Sequence, residues 1–129
     1  MNFEAHLVEV EATLEEEVFA RAALALGQIL AGGGPLTQEV ERTLEPAGHD
    51  RVSQLVALVR DVLAAFYDER LILAAIEVRL GPPFSAIGRF ARWDPARHGD
   101  PKIGAVSWGG ARFEPAGDGW RATLRFDPE

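Results

Sequence analysis

The stretch LILAAIEVRLGPP, from Leu71 to Pro83, decides the fold. Read at helical spacing, Leu73, Ile76 and Leu80 prolong the apolar stripe of the residues before it, and Gly81-Pro82 supplies a stop. Read at strand spacing, Ile72, Ala74, Ile76, Val78 and Leu80 alternate with Glu77 and Arg79, as a half-buried strand does. The patterns are close. No glycine or proline lies between Asp50 and Gly81, which tips the expectation towards helix. A strand here would instead give the protein a further, central strand.

Upstream, Val52, Leu55, Val56, Val59, Val62, Leu63 and Phe66 form the strongest helical stripe in the chain, with Asp50 placed to cap it. Leu36, Val40 and Leu44 share one side of a short helix predicted over Thr37 to Leu44, ended by Pro46, Ala47 and Gly48. A first long helix is predicted from Leu14 to Ala31. TLEE at Thr13 to Glu16 has the pattern of a capping box, and Glu15, Glu16 and Glu17 suit the positive end of the helix dipole. Gly32 to Pro35 follow that helix and lack the Lys-Ser/Thr pair of a phosphate loop, so they read as a stop and turn. Before Thr13, HLVEVEA alternates with β-branched Val8 and Val10, and a strand is favoured over Phe3 to Glu11.

Downstream of Gly81, helical periodicity disappears. SAIGRFARW, KIGAVSW and ARFEP read as short strands. In the closing hairpin, Asp118-Gly119 offers turn residues. Trp120, Ala122, Leu124 and Phe126 alternate with Arg121, Thr123 and Arg125, giving a core face and a cationic, water-facing one. The expected fold is α+β, a single domain over residues 1–129. Two longer helices and one short helix pack on a small, mainly antiparallel sheet from the C-terminal third, joined by the N-terminal strand.

The composition is that of a chain that buries a core, 47% apolar and 26% charged. The absence of cysteine excludes disulfides and thiolate metal sites and suits a reducing compartment. The opening residues lack the basic and apolar segments of a secretory signal, and no apolar run suffices for a bilayer, so a cytoplasmic location is expected. The net charge of −7 opposes attraction to nucleic acid and to anionic membrane. Met1 to Asp50 carry ten acids against Arg21 and Arg42, while Phe84 to Arg125 carry seven bases against four acids.

No nucleotide-binding loop, zinc-protease helix or nucleophile elbow is present. Ser107, beside Gly109 and Gly110, has Ala105 in place of the glycine that the elbow pattern carries two positions earlier. Asp94, His98 and Asp100 have the residue types of a metal site, but Asp94-Pro95 and Asp100-Pro101 read first as turn starts, and no metal or cofactor is expected. The segment RFARWDPARHGDPK, Arg89 to Lys102, is the best ligand candidate. Arg92 and Arg97 are suited to clamp an anion, Trp93 to stack, and His98 to act as acid or base.

The leading expectation is a non-catalytic, self-associating interaction or regulatory module. It is motivated by the helix half ARAALALGQILA, apolar nearly all round, whose Ala22, Ala23, Leu26, Ile29 and Leu30 would form the interface. The alternative is a small anionic-ligand protein or enzyme using Arg92, Trp93, Arg97 and His98. A third reading is nucleic-acid binding through the Arg-rich C-terminal sheet.

Overall fold

A computed structural model describes residues 6–99 and 103–128. In it Leu71 to Arg79 is a strand, not the continuation of a helix. The preceding helix ends because Arg70 turns into the left-handed region at φ 55°, where its N–H caps the carbonyls of Ala65 and Phe66. A non-glycine residue makes that turn, so nothing in composition announces it.

Eight elements follow in order. They are β1 (His6–Ala12), α1 (Glu15–Ala31), β2 (Val40–Leu44), α2 (Arg51–Glu69), β3 (Leu71–Arg79), β4 (Ser85–Arg92), β5 (Ile103–Ala116) and β6 (Gly119–Pro128). The strands form two antiparallel three-stranded sheets, ordered β1-β6-β5 and β2-β4-β3. The α+β class holds, with an N-terminal strand as expected. Two further features differ from the sequence reading: the predicted short helix is strand β2, and the single sheet is two. Both differences have one cause. β4 needs a partner on each side, and Val40 opposite Phe90 and Leu73 opposite Phe90 supply them.

Asp50 caps α2 as its sequence position implies, its carboxylate accepting from the Ser53 N–H at 2.8 Å. The capping box on α1 does not form. The helix begins one residue later, with Leu14 at the cap and no side-chain bond there, so the Thr13 hydroxyl is out of register. In the last hairpin the loop is Gly117-Asp118, and the positive φ of 58° falls on Gly117. Gly119 opens β6 instead. A Cβ there would lie 2.2 Å from the Ala12 carbonyl oxygen, so its role is close packing of β6 on β1.

The core lies between the helices and the sheets. α1 packs on β3, β1, β6 and α2, while α2 also covers β5 and β3. Phe19 meets Phe84 at 5.2 Å and Phe113 at 5.3 Å, and Phe113 stacks on Trp120. A fully buried apolar side chain such as Phe19 contributes roughly 1.5–3 kcal/mol. Ala22, Ala23, Leu26 and Leu30 are 0% exposed, and Ile29 is half-buried against the same core. The shelter that α1 requires therefore comes from its own subunit, and this helix gives no reason to expect a second copy.

The acidic and basic parts of the sequence do not stay apart. β6 lies between β1 and β5, so Arg121 bonds to Glu11 at 2.7 Å and lies near Glu9 at 3.7 Å and Glu114 at 3.9 Å. The Glu11 hydrogen bond and charge raise the Arg121 pKa further. Arg89 pairs with Glu41, and Arg125 with Asp127. The arginines of the stripe read as cationic, Arg121 and Arg125, are matched by carboxylates, and Arg89 belongs to the other sheet.

Candidate functional site

The loop after β4 folds on itself. The Asp94 carbonyl accepts from the N–H groups of Arg97 and His98, and its carboxylate accepts from Ala96 N–H. This turn drives the His98 ring inward, to 5% exposure. Its Nδ1 accepts from the Asp94 N–H at 2.9 Å, and Nε2 lies 2.8 Å from the Pro35 carbonyl oxygen, to which it donates. Both ring nitrogens are thereby occupied. The imidazole on which an acid–base role was expected cross-links two loops.

The second loop, after α1, is held as closely. A Cβ on Gly34 would lie 2.2 Å from the Arg97 carbonyl oxygen, so glycine lets the loops touch. Glu39 donates its N–H to the Phe90 carbonyl and accepts the Arg92 N–H on its carboxylate at 2.9 Å. Between these loops lies a cleft of about 430 Å³. Its walls include Arg92, Trp93, Arg97 and His98, so the fold does gather the four residues singled out from sequence. Pro35, Thr37 and Glu39 complete it from a segment that the sequence reading had assigned to a turn and a short helix.

Trp93 is not free to stack as expected. Its indole N–H donates to the Gly99 carbonyl at 3.1 Å, and the Arg70 guanidinium sits 5.5 Å from its ring centre. Arg70 also covers Phe66 at 4.9 Å, so the left-handed cap residue ties α2 to this loop. Arg97 reaches Asp94 only at 3.7 Å, across a half-exposed pair. The Arg92 guanidinium makes no ion pair among the described residues.

Among the described residues no group of three or more His, Asp or Glu could hold a metal ion. Asp100 lies outside the described residues, and Asp94 and His98 are bonded to each other. The Ser107 hydroxyl accepts from Gly109 N–H, a turn contact.

That turn shapes a second feature, which sequence reasoning missed. Between the pairs Ser107–Arg125 and Arg112–Thr123, Trp108, Gly109, Gly110 and Ala111 of β5 face only Leu124 of β6. The bulge lies on an edge strand and leaves Trp108 50% exposed. Arg60 of α2 stacks on that indole at 5.2 Å and is anchored by two bonds to the Val106 carbonyl, at 3.1 and 2.9 Å. Leu7, on the opposite edge strand, pairs with Arg125 and is 73% exposed. The signal lay in Trp108 followed by two glycines. Its partner Arg60 was legible only as an off-stripe residue of a helix. No helix among the described residues is long and apolar enough to cross a membrane.

Residues 6–127 match the model of a family described as Archease protein family (MTH1598/TM1083). The fold is similar to the solution structure of Methanobacterium thermoautotrophicum protein 1598, with a TM-score of 0.70 and 16% identity. The match covers 95% of this chain and 90% of that one, and at this identity it speaks for the fold alone. No curated protein sequence matches the chain.

Proposed function

From the chain's membership of the archease family, we propose that it is a non-catalytic accessory protein that docks on a protein partner in RNA processing. The family is associated with such partners, tRNA ligases among them. In this reading the protein acts in the cytoplasm, regulates a larger enzyme and contributes a binding face to it.

The observation that carries the reading is the Arg60–Trp108 pair. Trp and Arg are the side chains most enriched where binding energy concentrates at protein interfaces. Here they are held ready: Arg60 is fixed by the Val106 carbonyl, and the indole is fixed by Arg60. A pre-ordered pair loses less conformational freedom on binding than two mobile side chains. Leu7 and Arg125 extend the same sheet, and the carboxylates of Glu9, Glu11 and Glu114 outnumber the Arg121 guanidinium they surround. The partner patch that suits it is therefore apolar opposite Trp108 and Leu7 and basic opposite the carboxylates around Arg121. In this reading the partner is a different protein, and α1, enclosed by its own subunit, supplies no argument for a second copy.

The test is RNA ligation by the tRNA ligase of the same cell, with and without this protein. The wild type accelerates ligation or binds the ligase. Trp108→Ala weakens that by about 30-fold, the equivalent of a 2 kcal/mol interface anchor. Arg60→Ala weakens it less. Absence of any wild-type effect, or equal effects of wild type and Trp108→Ala, rejects the reading.

A further inference from the structure

Independently of the docking face, we infer that the cleft between residues 35–39 and 91–98 is a binding site for a compact oxyanion of the phosphate or carboxylate class, with Arg92 and Arg97 as its ligands. Three observations carry this. The first is construction. Both walls are cross-linked by hydrogen bonds, from His98 to Pro35, from Arg92 N–H to Glu39 and from Glu39 N–H to Phe90. A buried imidazole and a close glycine contact thus hold open a polar cleft at the surface, where the hydrophobic core needs neither. Rigid walls are what a small-ligand site requires, and about 430 Å³ is within the usual range.

The second is the state of the charges. The lining holds two carboxylates, Glu39 and Asp94, and two guanidinium groups, Arg92 and Arg97. Each carboxylate has one oxygen committed to a backbone N–H, Glu39 to that of Arg92 and Asp94 to that of Ala96. Arg92 has no ion pair among the described residues, and Arg97 reaches Asp94 only at 3.7 Å. The two guanidinium groups therefore keep most of their N–H donors available, in the forked geometry that oxyanions accept in pairs.

The third is what the cleft lacks. His98 has no free nitrogen, and the Trp93 indole N–H is already donated to Gly99. The site is built to hold an anion and not to transfer a proton to it. Thr37 lines the opposite wall and adds a hydroxyl to the set.

The experiment follows the three indole N–H signals of Trp93, Trp108 and Trp120 in ¹H–¹⁵N spectra of the full chain. Inorganic phosphate and malonate are titrated separately to tens of millimolar. The expected result is a saturable shift of the Trp93 signal with at least one probe, while the Trp108 and Trp120 signals stay in place. Which probe saturates assigns the class. The double variant Arg92→Gln/Arg97→Gln, both on the exposed rim, should bind at least about fivefold more weakly. Its undisturbed Trp120 signal shows that it is folded. No saturable Trp93 shift with either probe, equal shifts of all three indoles, or a loss smaller than fivefold in the double variant would overturn the assignment. A ligase-blind protein that still shows the Trp93 shift would sink only the docking proposal.

Discussion

The backbone N–H of Asp94 donates to Nδ1 of His98 at 2.9 Å, and the His98 N–H donates back to the Asp94 carbonyl at 2.8 Å. With Nε2 bound to the Pro35 carbonyl, one side chain closes the turn after β4 and fastens it to the loop after α1.

His98→Ala therefore strips partners from the Asp94 N–H and the Pro35 carbonyl together. The cost is about 1–3 kcal/mol for part-buried groups left to find water. Urea denaturation should show that loss in the midpoint with little change in slope. His98→Gln, able to restore one of the bonds, should recover part of it. An unchanged midpoint in His98→Ala would show the clasp to be energetically idle.

Gly27→Ala sets two effects against each other. Alanine is better than glycine inside a helix by about 1 kcal/mol. Yet the new Cβ would lie 2.4 Å from the Leu73 carbonyl oxygen on β3. Leu73 pairs with Phe90 in the ladder, so its backbone cannot step aside without loosening β4. Overpacking of this kind costs about 1–3 kcal/mol. A net loss of stability is expected, read as a lower melting temperature. A gain would mean that α1 slides freely over β3.

Asp50 titrates below the ordinary carboxylate value of 3.8, chiefly because its carboxylate accepts the Ser53 N–H in the folded chain. The stability it contributes is complete above the unfolded value and is lost as pH falls through the lower folded one. Asp50→Ala should be less stable than the wild type at neutral pH, and the gap should close in strong acid. Asp50→Asn, still a cap, should lie near the wild type at neutral pH. Thermal melts at several pH values distinguish the three.

Asp61 behaves in the opposite sense. Partial burial beside Leu44, Ala64, Ala65 and Phe90 raises its pKa above 3.8. Folding is then favoured by the protonated form below the unfolded value, and that advantage is lost as pH rises through the raised folded value. Asp61→Asn removes the charged form's penalty, so it should be more stable at neutral pH by about 0.5 kcal/mol or less, the group being half in water. The difference should vanish on acidification. A variant equally more stable at every pH would place the effect in packing and not in charge.

The candidate site was half legible. Arg92, Trp93, Arg97 and His98 are near in sequence, so any turn at Asp94-Pro95 brings them together. Their roles were not legible. Whether an imidazole reaches solvent or a carbonyl depends on where Pro35 lies, and Pro35 is 63 residues away in the chain. The Arg60–Trp108 pair hid for the same reason, since a helix and an edge strand meet there only after folding.

Local pattern determined the α+β class, the extent of α1 within a residue, the Asp50 cap, the N-terminal strand and the closing hairpin. Each of these rests on interactions between near neighbours: caps, turns and alternation against a single apolar face. Tertiary structure alone decided that Val40–Leu44 and Leu71–Arg79 are strands and that α1 is sheltered within its own subunit. Both segments carry apolar residues that satisfy either spacing, so their free energies as isolated helix or strand differ little. The backbone hydrogen bonds of β4 and the packing of α1 on β3 break that balance, and those partners are remote in the chain.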